Sequence, residues 1–162
     1  MITDSEATVT TIGTLIDEES RVLRAFLDIL EHEQQSLLAG LADPLLSIAE
    51  EKNRASAQLS RLSLRRSQAL SAQGFGSGAA ATAAWLNQLA TDAPPREAWS
   101  RLLDLASRAR TLNEENGALI RTRLQHNQRA LAVLAAASDQ ATLYGPDGQA
   151  FAGVGKRHLG SV

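Results

Sequence analysis

The sequence predicts an all-α chain: an antiparallel helical hairpin, one short helix and one long C-terminal helix, packed as a coiled-coil-like three-helix bundle with a flexible C-terminal tail. Three observations lead there. Of 162 residues, 28 are Ala and 25 are Leu, the strongest helix formers. Aromatic residues make up 4% and β-branched residues are sparse, so little is available for a sheet. Apolar residues recur every three or four positions instead of alternating. A hydrophobic fraction of 44% is that of a globular chain, and this length serves one core, not two.

Residues 1–11 read as a frayed, Thr-rich lead. From Ile12 a helical period sets in, with Ile16, Leu23, Leu30 and Leu37 seven residues apart. Leu15, Val22, Phe26, Leu27, Ile29, Leu38 and Leu41 widen that stripe into a broad apolar face. Asp43 and Pro44 restart the chain as N-cap and first helical residue. The second helix runs to about Gln73, with Leu45, Ile48, Lys52, Ala55, Leu59, Leu62, Arg66 and Leu70 on its stripe. Gly74 fits the left-handed position that closes a helix, and Gly74 to Gly78 is a linker. A glycine-rich loop cradles phosphate when it joins a strand to a helix, but here a helix precedes it.

Ala79 to Ala90 forms the short helix. Asp92 to Pro95 ends it and opens the longest one, expected from Pro95 to Ser138. Positions 99, 106, 113, 120, 127 and 134 (Trp, Ala, Asn, Ile, Asn, Leu) and positions 102, 109 and 116 (Leu, Ala, Asn) hold a seven-residue period, the mark of a coiled-coil seam. Asn113, Asn116 and Asn127 on that seam either fix register or meet a partner. Past Ser138 the period stops, so 1–138 is read as the helical domain and 139–162 as the tail. Gly145-Pro146-Asp147-Gly148 is a turn, and the isolated Leu143, Tyr144, Phe151 and Val154 suit either a segment that folds on a partner or an inert terminus.

Several function classes drop out. With no cysteine there is no disulfide, thiol nucleophile or thiolate metal site. No run approaches 18 apolar residues, and the start, Met1 to Glu6, is acidic where a secretory leader is basic and then apolar. A net charge of −2 argues against a general nucleic-acid binder. His32-Glu33 begins like a zinc-protease motif, but position 36 is Ser. His126 falls on a helix flank and His158 in the tail. Glu50-Glu51 and Glu114-Glu115 are neighbours that point about 100° apart on a helix, so neither makes a paired-carboxylate site. No catalytic residue, metal ligand or cofactor is expected, and the chain is not expected to be an enzyme.

Charge is unevenly placed. Residues 1–43 carry nine acids against Arg21 and Arg24, and the rest of the chain carries 14 bases against nine acids. The acidic first helix either docks a basic partner or lies among Arg-rich neighbours of its own chain. The intramolecular reading is the simpler, because rim charges commonly orient helices in bundles. Helix length adds a second expectation. Two helices of about 30 residues reach ~45 Å and one of about 43 residues ~65 Å, which would leave ~20 Å of the last helix, Gln125 to Ser138, beyond the hairpin. Leu131, Val133 and Leu134 there would stay in water, the usual sign of a partner site and one suited to an amphipathic helix. A kinked helix or a homodimer seam would hide the same residues.

Three motifs then fall in order: Leu112-Asn113-x-x-Asn116-Gly117-x-Leu119-Ile120; Asn127-Gln128-x-Ala130-Leu131-x-Val133-Leu134; and Leu143-Tyr144-Gly145-x-Asp147-Gly148-Gln149. Together with Glu50-Glu51-Lys52 followed by Leu59 and Leu62, they resemble the FlgN family of flagellar export chaperones. The resemblance implies a cytoplasmic, all-helical chaperone that binds the C-terminal amphipathic helices of the hook–filament junction proteins FlgK and FlgL. Such a chaperone keeps them unassembled and presents them to the export gate protein FlhA. On this reading Asn116, Ile120, Leu124, Asn127, Leu131 and Leu134 are the cargo-binding residues. Tyr144 is the contact to the export gate, within a tail motif that includes Leu143, Gly145, Asp147 and Gly148. The free protein is expected to be a monomer or weak homodimer. The rival from another class is a structural coiled-coil protein that self-assembles.

Overall fold

The computed structural model describes residues 4–143. It contains four helices in chain order: α1 (Asp4–Ala39), α2 (Leu45–Ala72), α3 (Gly78–Asn87) and α4 (Pro94–Leu143), and no strand among the described residues. The chain divides into two compact units, Met1–Ile120 and Arg121–Val162.

In the first unit α1 and α2 form an antiparallel hairpin. Its sense is fixed by two cross-helix ion pairs, Glu33 with Lys52 and Glu19 with Arg66: as the α1 partner moves toward the N-terminus, the α2 partner moves toward the C-terminus. The first part of α4 lies parallel to α1, since Gly13 meets Pro95 near one end and Leu30 meets Asn116 near the other. α3 packs on α2 and delivers Trp85 and Leu86 to the core.

That core is built as the heptad period requires. Ile16, Leu23, Leu30 and Leu37 are all buried, as are Ile48, Leu62 and Leu70 of α2. Each such side chain contributes about 1.5–3 kcal/mol by leaving water. On α4 the buried column is Ala98, Leu102, Ala109 and Asn116, with Leu105 and Leu112 half-buried beside it. The neighbouring column expected to share the seam does not: Trp99 is half-buried, and Ala106 and Asn113 are exposed. The column that includes Leu102 and Ala109 is the one turned inward, and at its end Asn116 bonds the Leu30 carbonyl of α1.

The helix ends differ from expectation in three places. α1 begins at Asp4 instead of Ile12, and Val9 packs against the core, so the lead is ordered by contact where its Thr content alone would let it fray. α2 begins at Leu45 with Pro44 as its N-cap and no side-chain capping bond; Asp43 is not the cap. The turn is set by Gly40 instead, at φ 83°. There Leu41 N–H bonds Ser36 O at 3.0 Å and Gly40 N–H bonds Leu37 O, the two bonds of a Schellman closure. Gly74 does close α2 as expected, at φ 84°, with Phe75 N–H on Leu70 O at 3.1 Å and Gly74 N–H on Ser71 O at 2.9 Å. Lastly, α4 runs to Leu143, past the expected stop at Ser138. Nothing in Asp139-Gln140-Ala141-Thr142 breaks a helix, and the next breakers in sequence are Gly145 and Pro146.

Candidate functional site

Within the first unit, the ionisable side chains that lie inside the apolar stripes are bound to one another. Arg66 sits mid-stripe on α2. Its Nε donates to Glu19 Oε1 at 2.7 Å and its Nη2 to Glu19 Oε2 at 3.3 Å. Nη1 donates to Thr82 Oγ1 of α3 at 2.6 Å, and the guanidinium lies 4.8 Å from the centre of the Trp99 ring of α4. One arginine thus touches all four helices, in the bidentate and stacked geometry that a lysine could not reproduce. With both partners buried, the charges compensate each other, and the chemistry available is cross-linking, not catalysis. A cleft of about 570 Å³ beside them is walled by Leu23, Leu59, Trp99 and Leu102, and its two charges are this same pair.

A second polar junction lies farther along the hairpin. Lys52 Nζ donates to Glu33 Oε1 and Oε2 at 3.0 and 2.8 Å. Asn116 Nδ2 donates to Glu33 Oε2 and to the Leu30 carbonyl, both at 2.8 Å. Asn116 is 0% exposed. The expectation that Asn116 contacts cargo is therefore corrected: the side chain is buried and its Nδ2 is spent on α1, where it fixes the register of α4, while its Oδ1 is buried without a partner among the described residues. Gln34 Nε2 donating to Glu115 Oε2 at 3.1 Å supports the same register. Two of the nine acids near the N-terminus, Glu19 and Glu33, are thus consumed inside the chain, in accord with the intramolecular reading of the acidic helix. The signal in sequence was a charge standing inside an apolar stripe, at Lys52 and Arg66.

Leu38, near the end of α1, and Leu41, just past it, were expected on the apolar face and are exposed instead, as is Leu46 at the start of α2. They lie next to the Gly40 turn, where the hairpin ends and no third helix covers them. Ile120, the last residue of this unit, is 43% exposed.

The second unit, over its described residues, is helix alone. Leu124 is 56% exposed, Leu131 and Leu134 are 66% each and Val133 is 69%. Leu124, Asn127, Leu131 and Leu134 follow one another at spacings of three and four, so they share one side of the helix. Val133 is one position from Leu134 and points away from that side. His126 is exposed. Of the tail motif, Leu143 is the last helical residue, and Tyr144, Gly145, Asp147 and Gly148 lie outside the described residues. Among the described residues, no group of His, Asp or Glu is arranged to hold a metal ion, and no helix is long and apolar enough to cross a membrane.

Sequence comparison adds an independent line. The family model described as FlgN protein matches residues 1–151. The flagella synthesis protein FlgN of Yersinia enterocolitica serotype O:8 is 31% identical over 86% of this chain and 88% of its own length. The protein of that name from Salmonella typhimurium is 29% identical over 87% of this chain and 91% of its own. A further Yersinia enterocolitica sequence of the same name is 48% identical over a shorter stretch, 33% of this chain and 36% of its own length. No solved structure matches the chain.

Proposed function

The chain belongs to the FlgN family, and from that premise we propose that it is a flagellar export chaperone whose second unit holds the C-terminal amphipathic helix of a hook–filament junction protein. The observation that supports this is the row Leu124, Leu131 and Leu134, each more than half exposed on one side of a helix. Leaving such side chains in water forfeits about 1.5–3 kcal/mol apiece. A partner helix laid along them recovers that energy by the helix-in-groove mode, with anchors three and four residues apart. Asn127, between the leucines, gives the docked helix a polar register mark at some cost in affinity.

The cargo on this reading is FlgK or FlgL, held unassembled in the cytoplasm until export. Holding must be reversible at the gate, which corresponds to micromolar to nanomolar affinity, about −8 to −12 kcal/mol. Tyr144, within the Leu143, Gly145, Asp147 and Gly148 motif, is the proposed contact to the gate protein FlhA; that assignment rests on the resemblance of the motif alone. The whole activity is binding and release, and it calls on no cofactor.

The test is the double substitution Leu131→Asp with Leu134→Asp. The variant is expected to keep the circular-dichroism helix signal and to lose capture of FlgK and FlgL. Undiminished capture by a folded double variant sinks the proposal. Light scattering on the free protein tests the rival: a concentration-stable oligomer that dissociates in the double variant would assign the row to self-assembly.

A further inference from the structure

The stripe of the second unit has a charge signature that the leucines alone do not require. From Asn116 to Ser138 the sequence contains no acidic residue, while Arg121, Arg123 and Arg129 all fall within it. None of the three makes an ion pair among the described residues. Their places on the helix differ. With Leu124 and Leu131 at heptad positions a, and Asn127 and Leu134 at d, Arg121 falls at e and Arg123 at g, the two rims of the stripe. Arg129 falls at f, on the far side. Arg123 is half-buried, whereas Arg121 and Arg129 are exposed.

We propose that the helix accepted by this stripe is acidic at its rims: an amphipathic helix with leucine-like anchors on one face, flanked by Asp or Glu where it meets Arg121 and Arg123. The inference rests on the docking reading above and adds the chemistry of the occupant. A second copy of the same segment is the wrong occupant, because it offers neither arginine a carboxylate: in a parallel pair Arg123 at g faces Gln128 at e and Arg121 at e faces Asn116 at g. Like charges at e and g select against a pairing, and opposite charges select for it. Rim charges also act on encounter, steering an anionic helix onto the stripe and raising the association rate in a salt-dependent way.

The experiment uses the full chain and two synthetic helical peptides. Both carry Leu at every a and d position; one has Glu at e and g, the other Lys. By fluorescence anisotropy at low ionic strength, the Glu peptide is expected to bind about tenfold tighter than the Lys peptide, with the gap narrowing at 1 M salt. Arg121→Glu with Arg123→Glu is expected to invert the preference, and Arg129→Glu to leave it within about twofold, since a far-face charge acts only through the screened overall field.

Equal binding of the two peptides, lost in the Leu131→Asp with Leu134→Asp chain, would overturn the acidic-rim inference while leaving the docking reading standing. A Glu preference that survives that double substitution would overturn both. An effect of Arg129→Glu as large as that of the rim pair would show that net charge and not rim placement selects the partner, and would overturn the inference. So would displacement of the Glu peptide by vesicles of anionic phospholipid, which would assign the rims to a lipid surface.

Discussion

α4 contributes to both units, and its two stretches make opposite use of the same pattern. From Ala98 to Asn116 every third or fourth residue is buried or half-buried, and the seam ends on an asparagine whose Nδ2 donates twice to α1 while its buried Oδ1 has no partner among the described residues. From Leu124 to Leu134 the spacing continues with the same residue types, and every member is exposed. Leu102 and Leu131 are alike in sequence terms, as are Asn116 and Asn127. What separates them is whether another helix of the chain is there to receive them. Periodicity therefore identifies a face that wants covering, and it is silent about what covers it.

Paired substitutions put that contrast to measurement. The largest effect is expected at Arg66. Arg66→Ala leaves the Glu19 carboxylate buried without its partner and removes the stack on Trp99, so unfolding free energy should fall by about 3–5 kcal/mol. Arg129→Ala, on an exposed arginine, should change it by less than about 0.5 kcal/mol. Urea unfolding followed by circular dichroism reads both, and a similar loss at the two sites would erase the distinction between the units.

The leucines come next. Leu30→Ala should cost about 2–5 kcal/mol, because it opens a cavity in a packed seam. Leu131→Ala should be nearly silent in the same unfolding curves and should weaken cargo capture instead. A Leu131→Ala chain that unfolds as readily as Leu30→Ala would mean that the second unit carries a core of its own in solution.

The asparagines give the smallest and sharpest comparison. Asn116→Ala deprives Glu33 and the Leu30 carbonyl of a donor, at about 1–3 kcal/mol. Asn127→Ala removes a polar group from an exposed face, and should leave stability unchanged while loosening the register of bound cargo. If Asn116→Ala reduced capture with no loss of stability, the register role assigned to it would be wrong.

Helix type, helix order and the α1 seam were legible in the residues, because an Ala- and Leu-rich chain with a seven-residue period has few alternatives. Ile16, Leu23, Leu30 and Leu37 are buried as their spacing demands. Local chemistry was enough at Gly74, where a left-handed closure was expected and is present. It misled at Asp43, because Gly40 closes α1 and α2 starts at Leu45, so that Pro44 and not Asp43 stands at the N-cap. It misled again at Leu38 and Leu41, counted on the apolar face although they sit exposed at the hairpin end.

The sequence by itself thus determined which segments are helical, which face of each is apolar, the membership of the FlgN family and the location of the candidate docking row. Tertiary structure decided which of two adjacent columns on α4 became the seam, and it converted Lys52, Arg66 and Asn116 from polar residues in apolar stripes into the junctions that lock the helices together. The physical reason is that spacing along one helix is a local property. Burial and pairing depend on what stands opposite, and the partners here, Glu19 with Arg66 and Glu33 with Asn116, lie 47 and 83 residues apart in the chain.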